Sequence, residues 1–113
     1  MDLSVENKDG ITVIRLPGAP LDASVVGEFK RDIEPHLKSA KRLVFDLGKL
    51  SFIDSSGLGV LLTCQRQVRD GGGDLKLAAV LPQVRVVFEL VRMQRVFDIH
   101  ETVDGAIAAF VRG

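Results

Sequence analysis

Phe52-Ile53-Asp54-Ser55-Ser56-Gly57-Leu58-Gly59 is the stretch of this 113-residue chain that holds residue types able to do chemistry together. The first turn of a helix exposes backbone N–H groups that have no internal partner. A carboxylate just ahead of it can accept from them. Asp54 is placed for that role, which puts the Ser55 and Ser56 hydroxyls on the first turn, facing outward. A hydroxyl there can take a phosphoryl group without disturbing a core. The helix dipole favours the added charge by about 0.3–1 kcal/mol, and a phosphate brings about −1.5 to −2 charges at neutral pH. Gly57 and Gly59 have no side chains to shield this corner, so another protein's backbone can come close. Each also costs about 1 kcal/mol against alanine in a helix. Tight helix–sheet packing or a partner's approach would each account for that cost, and the pattern leaves both open. The plain alternative is an ordinary helix cap followed by small residues.

Other chemistries find less support. A serine hydrolase would need a glycine two residues ahead of its nucleophile, and Ile53 stands there. Its base would have to be His36 or His100, which read as surface or satisfied residues. No Gly-x-x-x-x-Gly-Lys loop occurs, so nucleotide hydrolysis is not expected. Two distant histidines and one cysteine do not make a metal site. No metal or cofactor is expected. Cys64 reads as a small core residue, and a single cysteine forms no internal disulfide, which fits a reducing compartment.

The 15 basic and 15 acidic side chains cancel, and Trp and Tyr are absent. The chain therefore lacks the basic footprint and the stacking platform of a nucleic-acid binder. The polar, acidic start Met1-Asp2-Leu3-Ser4 is unlike a signal peptide, and apolar runs such as Val60-Leu61-Leu62 are too short to span a bilayer. No membrane partner is expected, and the expected location is the cytoplasm. Arg85, Arg92 and Arg95 gather around one helix, where they can touch an acidic partner.

The elements that must position Ser55 follow from periodicity. Leu3 to Asn7 and Ile11 to Leu16 read as strands joined by an Asp9-Gly10 hairpin turn. Val26, Phe29, Ile33 and Leu37 share one face of a helix from Ser24 to about Lys38, started by Asp22 or Ser24, with Pro35 expected to end or kink it. Arg42–Leu47 reads as a strand. Ser55–Asp70 reads as a helix with Leu58, Leu61, Leu62 and Val68 on its buried stripe and Cys64 at the margin. Leu75–Val80 is the next strand. Pro82 opens a helix whose buried pattern is Val84, Val87, Phe88 and Val91. Val96–Ile99 is a short last strand, and Thr102 caps a helix burying Val103, Ala106, Ile107, Phe110 and Val111. Strand and helix alternate after the hairpin. The expected fold is therefore α/β, one domain over residues 1–113. It has a mostly parallel sheet of four to five strands, an N-terminal antiparallel hairpin edge and about four helices. The carboxyl ends of parallel strands are where ligands and partners meet such a sheet, and the turn before Ser55 lies there.

Asp54-Ser55-Ser56-Gly57-Leu58-Gly59-Val60 resembles the motif of the STAS-domain family, within it the stand-alone anti-sigma-factor antagonists of the sporulation and general-stress type. The element order agrees along nearly the whole chain, and Leu21-Asp22 is similar to the family's Gly-x-Leu-Asp stretch. Gly18-Ala19-Pro20-Leu21-Asp22 holds one residue more, so a differently shaped loop is expected. The resemblance implies a partner-switching cycle. The unphosphorylated protein binds an anti-sigma factor that is also a serine kinase of the histidine-kinase-like ATPase type, freeing a sigma factor. The kinase phosphorylates Ser55, and a PP2C-type phosphatase restores it. Asp22, Asp54, Ser56, Gly57, Leu58 and Gly59 would form the partner-binding surface of a non-enzymatic monomer or weak dimer. Stand-alone STAS domains also serve as scaffolds of stress-sensing complexes or accessory subunits of lipid-transport ATPases. The intact Asp-Ser-Ser-Gly favours the phosphoswitch.

Overall fold

The computed structural model describes residues 1–112. Five strands form one sheet in chain order: β1 (Ser4–Lys8), β2 (Ile11–Arg15), β3 (Arg42–Asp46), β4 (Asp74–Ala78) and β5 (Ile99–His100). β1 and β2 are antiparallel, and every other neighbouring pair is parallel. Helices α1 (Val26–Ser39), α2 (Ser55–Asp70) and α3 (Pro82–Leu90) connect successive parallel strands, and α4 (Val103–Arg112) follows β5. The expected α/β architecture and hairpin edge are present. The hairpin turn places Asp9 at φ 55° and Gly10 at φ 79°, the left-handed pair whose twist suits two-residue hairpins.

Strand order that follows chain order puts the three crossover helices on one face. Phe29 and Ile33 of α1, Leu61 and Val68 of α2 and Phe88 of α3 belong to the core that includes Ile14, Leu43, Phe45, Leu75 and Leu77. Phe29 meets Phe45 edge-on, with ring centroids 6.2 Å apart. α4 covers the opposite face, where Ala106 and Ile107 pack with Ile11, Val13, Val44 and Ala78. β3 and β4 are thus covered on both sides, which is why they read as continuous apolar runs. Lys76 is the exception. Its stem is buried, and its ammonium lies 2.7 Å from Asp98 Oδ2, 3.5 Å from Asp74 Oδ2 and 4.6 Å from the centre of the Phe110 ring.

Several local expectations are corrected. Pro35 does not end α1, which continues to Ser39. It sits on the solvent side, while Ile33 and Leu37 anchor the helix into the core on either side of it. α1 begins at Val26, because the Asp22 carbonyl accepts both the Val25 and Val26 N–H groups and holds residues 22–25 in a turn. The last strand is Ile99–His100. A 3₁₀ turn at Met93–Arg95 precedes it and helps bury Met93 and Phe97. Val91 and Val111, expected on buried faces, are exposed. In α2 the core positions are Val60, Leu61, Cys64 and Val68, while Leu58 and Leu62 are half-buried.

Candidate functional site

α2 begins at Ser55, and Asp54 is its N-cap in extended conformation. The Asp54 carboxylate has two jobs. Its Oδ1 accepts the Gly57 N–H at 2.9 Å, and its Oδ2 accepts the Ala23 N–H at 3.1 Å. The first bond satisfies an orphan donor of the helix. The second ties α2 to the loop that precedes α1. These bonds, that of Gly57 foremost, hold the Asp54 carboxyl below the usual carboxylate range, because N–H donors favour the charged form.

The same loop is joined through main-chain groups. Leu21 and Ile53 form an isolated parallel bridge. The Leu21 N–H donates to the Phe52 carbonyl at 2.9 Å, and the Asp54 N–H to the Leu21 carbonyl at 3.4 Å. Gly57 is buried against this junction. A methyl group added to it would overlap the Leu21 carbonyl oxygen and lie 2.6 Å from Ile53 Cγ1. The close approach that Gly57 permits is therefore internal. Gly59 differs: it is exposed, and an added methyl would meet nothing within 4 Å.

Ser55 is exposed on this corner and Ser56 is half-buried. Asp22 belongs to the adjoining loop. Its Oδ1 accepts from the Ser24 N–H at 3.0 Å and the Ser24 hydroxyl at 2.6 Å. Ahead of Leu21 the Ala19 N–H folds back onto the Pro17 carbonyl at 2.8 Å, and Leu21 pairs with Ile53. The structure thus gathers Asp22, Asp54, Ser55, Ser56, Gly57 and Leu58 at one corner, with Gly59 on the outer side of the helix. Phe52, which opens the same stretch of sequence but is not among the expected partner-binding residues, stands 52% exposed beside them. It precedes the buried Ile53, so alternation along the extended segment that leads into α2 is the signal that turns Phe52 outward.

Among the described residues no histidine bonds to Ser55, and His100 Nε2 instead lies 3.2 Å from Asp98 Oδ2. Burial pushes the Cys64 thiol up to about 12, so it packs as an apolar group and is a poor nucleophile. No described helix is long and apolar enough to cross a membrane. What the corner can do is present a hydroxyl on a rigid mount.

A five-stranded sheet with this hairpin edge and an Asp54-capped α2 that opens on Ser55 is the fold of a STAS domain. The chain belongs to the STAS domain family, whose profile matches residues 2–106. It is 32% identical over 111 residues to BtrV of Bordetella bronchiseptica, a candidate anti-sigma factor antagonist, covering 97% of this chain and 95% of that one. A solved anti-sigma factor antagonist from Mycobacterium paratuberculosis superposes with a TM-score of 0.84 at 26% identity, covering 96% of this chain and 92% of that one. SpoIIAA, a cell fate determinant of Bacillus, is similar in its phosphorylated form, with a TM-score of 0.71 at 26% identity over 96% of this chain and 99% of that one.

Proposed function

We propose that this protein is an anti-sigma factor antagonist whose hold on its partner is set by phosphorylation of Ser55. The unmodified protein binds an anti-sigma factor that is also a serine kinase, and thereby frees a sigma factor in the cytoplasm. The kinase moves the γ-phosphoryl group of ATP to Ser55 Oγ; the bond to ADP breaks, and the hydroxyl proton passes to a base of the kinase. A PP2C-type phosphatase hydrolyses the ester and returns the hydroxyl.

The observation that carries this reading is the exposed Ser55 at the start of α2, beside an Asp54 carboxylate that stays ionised. The names of the relatives, and the existence of SpoIIAA in a phosphorylated form, support it. The energetics favour a switch at the contact over a change of fold. The helix N-terminus favours a phosphate by about 0.3–1 kcal/mol, which suffices for the fold to tolerate it. Like charges pressed together across an interface cost several kcal/mol, and each 1.4 kcal/mol is about tenfold in affinity. Asp22, Ser56, Leu58 and Gly59 complete the proposed contact surface, and Gly57 acts by seating α2 against Leu21.

Incubation with ATP and the anti-sigma kinase of the same organism tests the proposal. Mass spectrometry is expected to find one phosphate, on Ser55. Labelling at Ser56 would move the switch to the neighbouring hydroxyl, and no labelling at all would overturn it.

A further inference from the structure

Among the described residues, Val5, Phe52 and Val111 are large exposed apolar side chains that stand apart from one another, but four more are grouped. Val86, Leu90, Val91 and Val96 fall within one short stretch, and Leu90 is 78% exposed. Val86 and Leu90 are one helical turn apart on α3 and face away from the buried Val84 and Phe88. Val96 reaches α2, where it lines a cleft of about 420 Å³ with Leu62, Gln65, Arg66, Arg69 and Asp70. Single exposed apolar residues need no explanation, whereas a cluster marks a contact surface.

Charge identifies what the surface fits. The chain is neutral overall, yet Arg85–Arg95 carries three arginines against one glutamate. Arg15, Arg31 and Arg69 are each paired with a carboxylate. Arg66, Arg85, Arg92 and Arg95, and away from them Arg42 on β3, have no such partner among the described residues. Unpaired guanidinium groups around an apolar patch complement a segment that presents carboxylates around apolar side chains.

We infer that the outer face of α3, the Met93–Arg95 turn and the cleft against the C-terminal half of α2 dock an acidic, apolar-faced segment of the anti-sigma factor. This rests on the function proposed above and adds a second contact that the switch does not control. Arg66 lies eleven residues along α2 from Ser55, roughly 16 Å at 1.5 Å per residue. That is about two Debye lengths at physiological salt, so a charge at Ser55 is screened from the cleft.

Isothermal titration of the anti-sigma kinase into the parent protein, the Arg66→Glu/Arg95→Glu variant and the Leu90→Ser variant tests the inference. All three side chains are on the surface, and matching melting curves confirm that the variants fold; if the charge reversal fails that control, Leu90→Ser alone decides. Each variant is expected to bind at least about tenfold more weakly. The same fold-loss is expected in a Ser55→Asp background, and the charge-reversed protein is expected to depend less on salt. Unchanged affinity in the variants, with Ser55→Asp still releasing the partner, overturns this inference alone. So does patch-dependent pelleting with phosphatidylglycerol vesicles or patch-dependent dimerisation of the parent, if either occurs without a loss of kinase affinity. A parent protein that does not bind the kinase overturns both readings.

Discussion

Asp54 reaches across 31 positions of sequence to accept the Ala23 amide at 3.1 Å, while its other oxygen caps α2 through Gly57. One carboxylate thereby fixes the start of the serine-bearing helix relative to the loop beside it. Asp54→Ala removes both bonds at once. It is expected to lower the melting temperature by several degrees and to speed hydrogen exchange at the Ala23 and Gly57 amides. Asp54→Asn, which keeps an acceptor oxygen, is expected to lose less.

Acid should loosen the same corner. Asp54 is held below its ordinary value of 3.8 by amide donors, and Asp98 below 3.8 by the hydrogen bond from Lys76 and then that from His100. The unfolded chain binds more protons than the folded one in the window below 3.8. The stabilising contribution is therefore complete above that pH and is lost as pH falls through the lowered folded values. Urea midpoints measured between pH 6 and pH 2.5 are expected to fall in that window, and less steeply in Asp54→Ala.

The two helical glycines should respond in opposite directions. Gly57→Ala forces a methyl onto the Leu21 carbonyl and Ile53, and is expected to cost about 1–3 kcal/mol or more. Gly59→Ala places a methyl in open space and is expected to stabilise the fold by about 0.4–1 kcal/mol. Chemical denaturation reads both. If Gly59 marks a partner's approach, the stabilised variant also binds the anti-sigma kinase more weakly.

Ser55→Ala is expected to bind the kinase constitutively. Ser55→Asp is expected to bind about 30-fold or more weakly, from a loss of about 2–3 kcal/mol at the contact. Calorimetry gives both numbers, and circular dichroism is expected to show unchanged folds.

Lys76 ties β4 to Asp98, just ahead of β5, and to Phe110 of α4. Lys76→Ala removes the buried stem as well as the charge and is expected to cost about 2 kcal/mol. Lys76→Met keeps the stem and leaves Asp98, which is largely solvated, free to hydrate, so it is expected to cost less than about 1 kcal/mol. Thermal unfolding separates the two.

Local signals were legible before the structure. Asp54 and the run after it mark α2 at its observed bounds, Asp9-Gly10 marks the hairpin, and Thr102 caps α4 through the Gly105 N–H at 2.9 Å. The junction between Leu21 and Ile53 was not legible. It is made of main-chain groups 32 positions apart, and such groups leave no side-chain signature. Gly57 showed that something was close, but not that the neighbour was the chain's own carbonyl. Pro35 misled because its local cost is outweighed by Ile33 and Leu37, whose burial depends on the sheet beneath α1.

The backbone seam between residues 21 and 53 has an evolutionary corollary. Its bonds belong to amides and carbonyls that every residue type but proline supplies, so the exposed side chains around it, such as Phe52, are free to be exchanged. New partners can be addressed by repainting that surface while the mechanical mount beneath the serine stays as it is.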